Sequence, residues 1–253
     1  AAVTVLVSGA LVAVVLGLER VRPQQPCAPR DESLAAEVAH VLLGAEVGTL
    51  AGYGLGVTAG GVLADLHAGV GLWPDAWPVA AQVVLALLVA DVVSYAQHRA
   101  IHRVPWLWPL HALHHQPRRL DVVKAGRFHV VDFATATAAA YLPLVALGAP
   151  AAMLAWVAIV TAVLGVLQHA DVRMPTPAWL DAVVCTPAAH WRHHGRAAAD
   201  DGNFATVCML VDRALGTFVA TGGTRPAALG LARDPLPAGW LPSVLAPFTR
   251  RRR

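Results

Sequence analysis

Long uncharged stretches constrain this chain most, because they recur at the length of a membrane crossing. A helix that spans the hydrocarbon core needs about 20 mostly apolar residues. Residues 1–18, 47–64 and 133–168 carry no charge, and residues 78–97 carry only Asp91. The whole chain is 57% hydrophobic and 14% charged, whereas about a quarter of the residues in soluble domains are charged. The sequence therefore predicts an integral membrane protein.

The stretch 133–168 is too long for one crossing at about 1.5 Å per residue, and Gly148-Ala149-Pro150 predicts a turn inside it. We expect an all-α, multi-pass helical bundle of about four to five membrane helices, with residues 1–253 forming one membrane domain. Residues 1–18 lack a basic segment, which favours an anchor helix over a cleaved signal peptide.

Basic residues are distributed on one side of these helices. They follow the first, third and fifth predicted helices, whereas segments 65–77 and 148–150 contain none. Cytoplasmic loops are enriched in Lys and Arg, so we expect the basic loops to be cytoplasmic, in a membrane that we take to be a bacterial cytoplasmic membrane. The net charge of +3 is explained by this orientation and by contact with anionic lipid. Because no recognised nucleic-acid-binding module accompanies the charge, we expect no nucleic-acid partner.

Glycines recur at every fourth position of the second predicted helix. Such a stripe lets another helix approach closely, either within one chain or between two chains. The stripe consists of Gly44, Gly48, Gly52, Gly56 and Gly60.

Histidines are the unusual feature of this charge-poor chain, which contains 12. All but His40 and His67 are predicted at the basic face of the membrane, and these two are interpreted as polar residues near helix ends. The three cysteines have no CxxC spacing and are interpreted as packing residues. The histidines at the basic face are His98, His102, His111, His114, His115, His129, His169, His190, His193 and His194.

The spacing of eight of these histidines is typical of helical metal ligands. Positions i, i+3 and i+4 share a helix face, and the chain contains HxxxH at 98–102 and HxxHH at 111–115 and 190–194. A zinc site needs only four ligands. Ten candidate imidazoles suit two metals with about five each, and imidazole binds iron, zinc, copper and nickel.

Acidic residues could orient these imidazoles. Asp91 is the only charge in the third predicted helix and lies two turns before His98. A carboxylate inside a membrane is costly, so it needs a partner, and we expect a ligand histidine or Arg99. Weaker candidates to hold a ligand histidine are Asp121, Asp132, Asp171, Asp200 and Asp201.

The three histidine boxes and their flanks resemble the fatty acid hydroxylase and sterol desaturase superfamily of membrane di-metal oxygenases. The order HxxxH, HxxHH, HxxHH agrees, as do Asp91-x3-Tyr95-x2-His98-Arg99 and the segments 201–204 and 212–217. The resemblance covers about residues 80–220. It departs at Val130, where many members have proline, and at Asp171, where many have asparagine.

The resemblance implies an O2-dependent di-iron oxidoreductase that hydroxylates or desaturates a C–H bond of a lipid such as a fatty acyl chain or sterol. It implies that the ten histidines bind two iron ions, with zinc as another possible occupant, and that Asp91 and Tyr95 are catalytic. Electrons would come from NAD(P)H through a separate carrier, a cytochrome b5-like or ferredoxin-like protein, since the chain contains no GxGxxG fingerprint.

Two other functions remain open from the residues. A metal-binding or metal-transport protein would distribute acids or histidines across the membrane, whereas only Asp91 and Glu46 lie in or beside the predicted spans. A degenerate, structural member of the superfamily would not need intact histidine boxes.

Overall fold

The computed structural model describes residues 2–25, 32–66, 71–222, 225–233 and 235–249, and nearly all regular structure within these ranges is helical. The prediction of an all-α protein is therefore confirmed. Cys27 and His67 lie outside the described residues. The α-helices are α1 (Ala2–Val21), α2 (Leu34–Ala39), α3 (Val47–Leu66), α4 (Val79–Arg103), α5 (Trp108–His115), α6 (Val130–Ala146), α7 (Ala151–His169), α8 (Ala178–Asp181), α9 (Pro187–His193), α10 (Leu210–Ala214) and α11 (Trp240–Thr249).

Among the described residues, three helices are long and apolar enough to cross a membrane. One is the continuous helix Leu34–Leu66, in which a π-helical segment, His40–Glu46, joins α2 to α3. The others are α4 and α7, and α6 is a shorter apolar helix. The multi-pass prediction is confirmed.

Helix α4 extends beyond the predicted apolar stretch. The predicted apolar stretch ends at residue 97, but His98 and His102 also lie on α4, on its last two turns. The helix ends because Val104, which precedes Pro105, adopts an extended conformation (φ −93°, ψ 113°), as the residue before a proline favours. Both histidines are therefore held on a rigid helix.

The predicted turn between α6 and α7 is present. Gly148 has φ +78°, a left-handed conformation that glycine adopts without steric cost. The amides of Gly148 and Ala149 donate to the carbonyls of Val145 and Leu144. Pro150 then precedes the first residue of α7, so a short turn separates the two helices.

The glycine stripe of the second membrane helix packs against α6 of the same chain. A Cβ added to Gly60 would lie 2.7 Å from the Leu142 carbonyl oxygen, and one added to Gly48 would lie 2.9 Å from the Phe133 Cβ. Both distances are below van der Waals contact, so only glycine permits this approach. The structure thus uses the stripe for packing within one chain.

Helix α1 is joined to the end of α7 through buried acids. Glu19 accepts hydrogen bonds from the amides of Val122 and Asp171, each at 2.8 Å. The Asp171 carboxylate accepts from the Gln24 and Gln25 amides and pairs with Arg119 at 2.9 Å. Asp171 therefore links segments of the fold rather than contacting a histidine.

Candidate metal centre

Nine of the ten predicted ligand histidines come together in two groups. Within each group, one nitrogen per imidazole can be chosen so that all lie within 4.8 Å of one another. Group one consists of His98, His102, His111, His115 and His193. Group two consists of His114, His169, His190 and His194.

Helical periodicity divides each HxxHH box between the two groups. On α5, His111 and His115 are one turn apart and share group one, whereas His114 faces group two. In the third box, His190 and His194 share group two, whereas His193 faces group one. Each HxxHH box thus supplies ligands to both groups, and the two groups lie side by side.

Fixed acceptors hold the outer nitrogen of several imidazoles. In group one, Nδ1 of His98 lies 2.7 Å from the Phe204 carbonyl oxygen and Nδ1 of His193 lies 2.8 Å from the Gly202 carbonyl oxygen. In group two, Nδ1 of His169 lies 2.7 Å from the Gly165 carbonyl oxygen. Carbonyl oxygens only accept, so these Nδ1 atoms carry the proton and the Nε2 atoms are free to bind a metal.

Two further imidazoles are held in the same way. Nδ1 of His111 lies 2.8 Å from a carboxylate oxygen of Asp132, and both side chains are buried. Nδ1 of His114 lies 3.3 Å from the Arg127 carbonyl oxygen. Asp132, one of the weaker sequence candidates, is therefore the acid that contacts a ligand histidine.

Unprotonated nitrogens converge inside both groups. The Nε2 atoms of His98 and His111 are 3.1 Å apart, and those of His114 and His169 are 3.2 Å apart. With the proton of each ring on Nδ1, the lone pairs of each pair face each other and repel. A bound cation removes this conflict, since it accepts several imidazole lone pairs at once. The donor sets therefore fit one metal ion per group.

Burial prepares the imidazoles of both groups for metal binding. Desolvation, assisted by neighbouring imidazoles, lowers the pKa of His115 and His194 well below the usual value, and the same holds for His114 and His190. A metal ligand must be neutral. These side chains are neutral at physiological pH without help from a metal.

Asp91 acts on a loop rather than on a histidine. Its carboxylate accepts hydrogen bonds from the amides of Thr206, Val207 and Cys208, at 2.7 to 3.0 Å, and from the Thr206 hydroxyl. The expected pairing with a ligand histidine or Arg99 is wrong, because this turn brings three unpaired amides to the carboxylate.

The same loop carries the two carbonyls that hold His98 and His193. Asp212 also fixes it, because its carboxylate accepts from the Phe204 and Ala205 amides, each at 2.8 Å. Asp91 and Asp212 thus orient two imidazoles of group one indirectly, through the backbone of residues 202–208.

Tyr95 is buried beside the site without contacting an imidazole. Its hydroxyl lies 2.8 Å from the Thr217 hydroxyl and accepts a hydrogen bond from Arg99. Thr217 in turn donates to Asp212 at 2.7 Å. Tyr95 therefore belongs to the network that fixes the loop.

His129 lies outside both groups. It begins α6 as the N-cap residue: its Nδ1 accepts from the Val131 amide, and its Nε2 lies 3.2 Å from the Val244 carbonyl oxygen. His40, predicted as a polar residue near a helix end, begins the π-helical segment and is fully buried.

Sequence reasoning missed the aromatic walls and the backbone acceptors. Phe128 stacks on His114 at 4.0 Å between ring centroids, and Phe204 contacts His98, His102 and His193 edge-on or tilted. Every residue has a backbone carbonyl, so the sequence does not show which carbonyl accepts a hydrogen bond from a histidine. The position of Phe204 beside the Asp201-Gly-Asn203 segment was the only available signal.

An open cavity of about 290 Å³ reaches group one. Its walls include His102, His115 and His193 together with Trp108, whose ring centroid lies 5.0 Å from that of His102. Arg196 and Asp201 also line it. Three of the five imidazoles of group one therefore line an opening at the protein surface.

Comparisons with known proteins agree with this geometry. The family model described as fatty acid hydroxylase matches residues 83–217, which contain both histidine groups. The ornithine lipid hydroxylase OlsE of Rhizobium tropici is 34% identical over 251 residues, which cover 96% of this chain and 74% of that protein. Alkylglycerol monooxygenase of Caenorhabditis elegans is 26% identical over 163 residues, which cover 64% of this chain and 31% of that protein. No solved structure matches the chain. With more than half of its length matched by the model, the chain belongs to the fatty acid hydroxylase family.

Proposed function

We propose that this protein is a membrane-bound, O2-dependent hydroxylase of a polar membrane lipid, with one iron ion in each histidine group. The observation that carries the proposal is the convergence of unprotonated Nε2 atoms in two adjacent groups. Family membership supports oxygen-dependent hydroxylation, and the names of the two relatives favour hydroxylation over desaturation. Both names also refer to polar lipids, which supports that substrate class here.

The roles of the side chains follow from their contacts. The nine histidines of the two groups would hold the metals, and Asp132 would hold His111. Bound iron would supply the O2 chemistry that breaks an unactivated C–H bond. Phe204 and Phe128, packed against the imidazoles, would exclude water from the reacting atoms. Asp91 and Tyr95 would position the loop at 202–208, and the assignment of His129 as a ligand stays a prediction.

We further propose that both groups face the cytoplasm, where a separate cytochrome b5-like or ferredoxin-like carrier would deliver electrons from NAD(P)H. The basic loops around the histidine boxes support this orientation, and the bacterial origin of OlsE supports a bacterial cytoplasmic membrane. A metal-transport function is less consistent with the structure, because the nine grouped histidines lie together at one end of α4 and α7 rather than along the membrane.

The test is the metal content of the purified protein after anaerobic supply of ferrous iron. We expect about two irons per chain, since each group offers four or five imidazoles. His193→Ala should remove the iron of group one, and His194→Ala that of group two. Lipid products should gain one oxygen atom from labelled O2 in the wild type and none in either variant.

Arg213→Gln is the control, because this exposed side chain belongs to neither histidine group and packs on Phe218. One weakly held iron in the wild type, or product formation by both alanine variants, would refute the di-iron site.

A further inference from the structure

A basic recess lies beside the third histidine box and includes its Trp191 in the lining. It has a volume of about 310 Å³, and none of the described residues that line it is acidic. Arg118 follows the second box, Arg196 follows the third, and Arg225 comes from a later loop, so three separate segments bring positive charge to one place. The lining favours an anion.

Backbone contacts hold two of these arginines in place. Arg225 donates to the Gln24 carbonyl at 3.2 Å, and its guanidinium lies 5.2 Å from the centre of the Trp191 ring. Arg196 donates to the Ala232 carbonyl at 3.3 Å. Neither arginine forms an ion pair with any residue that the structure describes. Asp171, the nearby acid, is already paired with Arg119.

Two buried polar atoms of the lining residues lack a hydrogen-bond partner within the part of the chain that the structure describes. The Trp191 side chain is 98% buried, and its indole N–H has no acceptor. The Gln25 side-chain oxygen is likewise buried without a donor. Buried polar groups are normally paired, and an orphan N–H costs free energy. The Trp191 indole N–H is therefore a donor without an acceptor. An anionic ligand would accept its hydrogen bond, directly or through a water molecule.

The recess lies beside the segment that follows α1 and near the end of α7. Gln25 comes four residues after the end of α1, and the neighbouring Gln24 donates its amide to Asp171, two residues after the end of α7. Because α7 is a candidate membrane span, the ends of these helices lie near the headgroup layer. Lipid phosphates are the most abundant anions at that depth.

We propose that this recess binds the phosphate group of a membrane lipid, through the guanidinium groups of Arg118, Arg196 and Arg225 with the Trp191 indole as a further donor. Since Trp191 lies between the ligand histidines His190 and His193, the bound lipid would contact a helix that supplies ligands to both metal groups.

The experiment titrates the full-length, iron-loaded protein in detergent with three probes and follows binding by native mass spectrometry. The probes are dioctanoyl phosphatidic acid, dioctanoylglycerol, which has the same chains without the phosphate, and inorganic phosphate. We expect phosphatidic acid to bind best. Arg225→Gln or Arg196→Gln should weaken its binding about tenfold, as loss of a charge-assisted hydrogen bond does.

Arg213→Gln is the matched control, since the Arg213 guanidinium is exposed and also lies 5.2 Å from the centre of an aromatic ring, that of Phe218. It should leave phosphatidic acid binding unchanged. Trp191→Phe keeps the ring under Arg225 but removes the N–H, and should weaken binding while the iron content remains at the wild-type value.

Three results would decide against the lipid site. Equal binding of dioctanoylglycerol and phosphatidic acid would exclude recognition of the phosphate. An equal loss in Arg213→Gln would show unspecific attraction of charge. If inorganic phosphate bound as tightly as phosphatidic acid, the recess would be an anion site for a soluble ligand rather than for a lipid.

Discussion

Asp132 controls the proton of one ligand histidine. Its carboxylate accepts from Nδ1 of His111 inside the protein, so it fixes the tautomer and makes Nε2 a stronger donor to a metal. Asp132 follows His129 by three residues in the sequence, and nothing in that spacing shows which acid reaches a histidine. Only the packing of α6 against α5 brings the two side chains together.

Replacing Asp132 should weaken one metal site selectively. Asp132→Ala removes the partner of His111, and we expect the affinity of group one for iron to fall about 10- to 100-fold. Group two should keep its iron, since its imidazoles are held by other acceptors. Competition with a chelator, followed by elemental analysis, measures both affinities.

Asp201→Ala is the control for this change. Asp201 is exposed and pairs with Arg103 at the surface, so the loss of its carboxylate should leave iron binding unchanged. Loss of both irons in Asp132→Ala would show that this acid supports the fold rather than one ligand.

At the scale of the element, the sequence predicted the membrane helices because their signals are local. Uncharged stretches and the turn at Gly148 were recognisable without any partner. The C-terminal end of α4 was placed too early, because hydropathy falls at His98 whereas the backbone remains helical to Arg103. The sequence did not predict that α6 packs against the glycine stripe, since the stripe identifies only one of the two contacting helix surfaces.

Two nearby glycines of α3, one inside the stripe and one outside it, allow a test of how closely this helix packs against α6. A Cβ on Gly52 would lie 2.7 Å from the Thr137 Cβ, whereas a Cβ on Gly54 would contact nothing within 4 Å. Gly52→Ala should lower the free energy of unfolding by about 1–3 kcal/mol, as overpacking does. Gly54→Ala should leave it unchanged or raise it by up to about 1 kcal/mol, because alanine favours helix.

Unfolding in a titration of denaturing detergent measures both glycine variants against the wild type. Equal stability of the two variants would contradict close packing of this helix on α6.

At the scale of the whole molecule, buried imidazoles make stability depend on pH. Desolvation lowers the pKa of His114, His115, His190, His193 and His194 well below the usual value. In the unfolded chain the same residues titrate with a pKa of about 6.5. The unfolded state therefore binds more protons at acidic pH, and the metal-free protein should lose stability as the pH falls below about 6.5.

Thermal unfolding of the metal-free protein between pH 5 and pH 8 tests this dependence. The melting temperature should rise with pH and level off above the unfolded pKa. A variant with leucine at positions 193 and 194 should show a weaker dependence, since two buried imidazoles are gone. A melting temperature that falls with increasing pH would contradict neutral, buried histidines.

The sequence by itself determined the membrane class, the helices and ten candidate ligand histidines, nine of which the structure brings together, because hydropathy and spacing along a helix are local properties. The tertiary structure decided which histidines share a metal, since group one combines residues from α4, α5 and the third box, whereas group two combines residues from α5, α7 and the third box. It also decided that Asp91 holds the loop at 206–208 and that His129 begins α6. These contacts join residues far apart in the chain, and their geometry depends on how the helices approach one another.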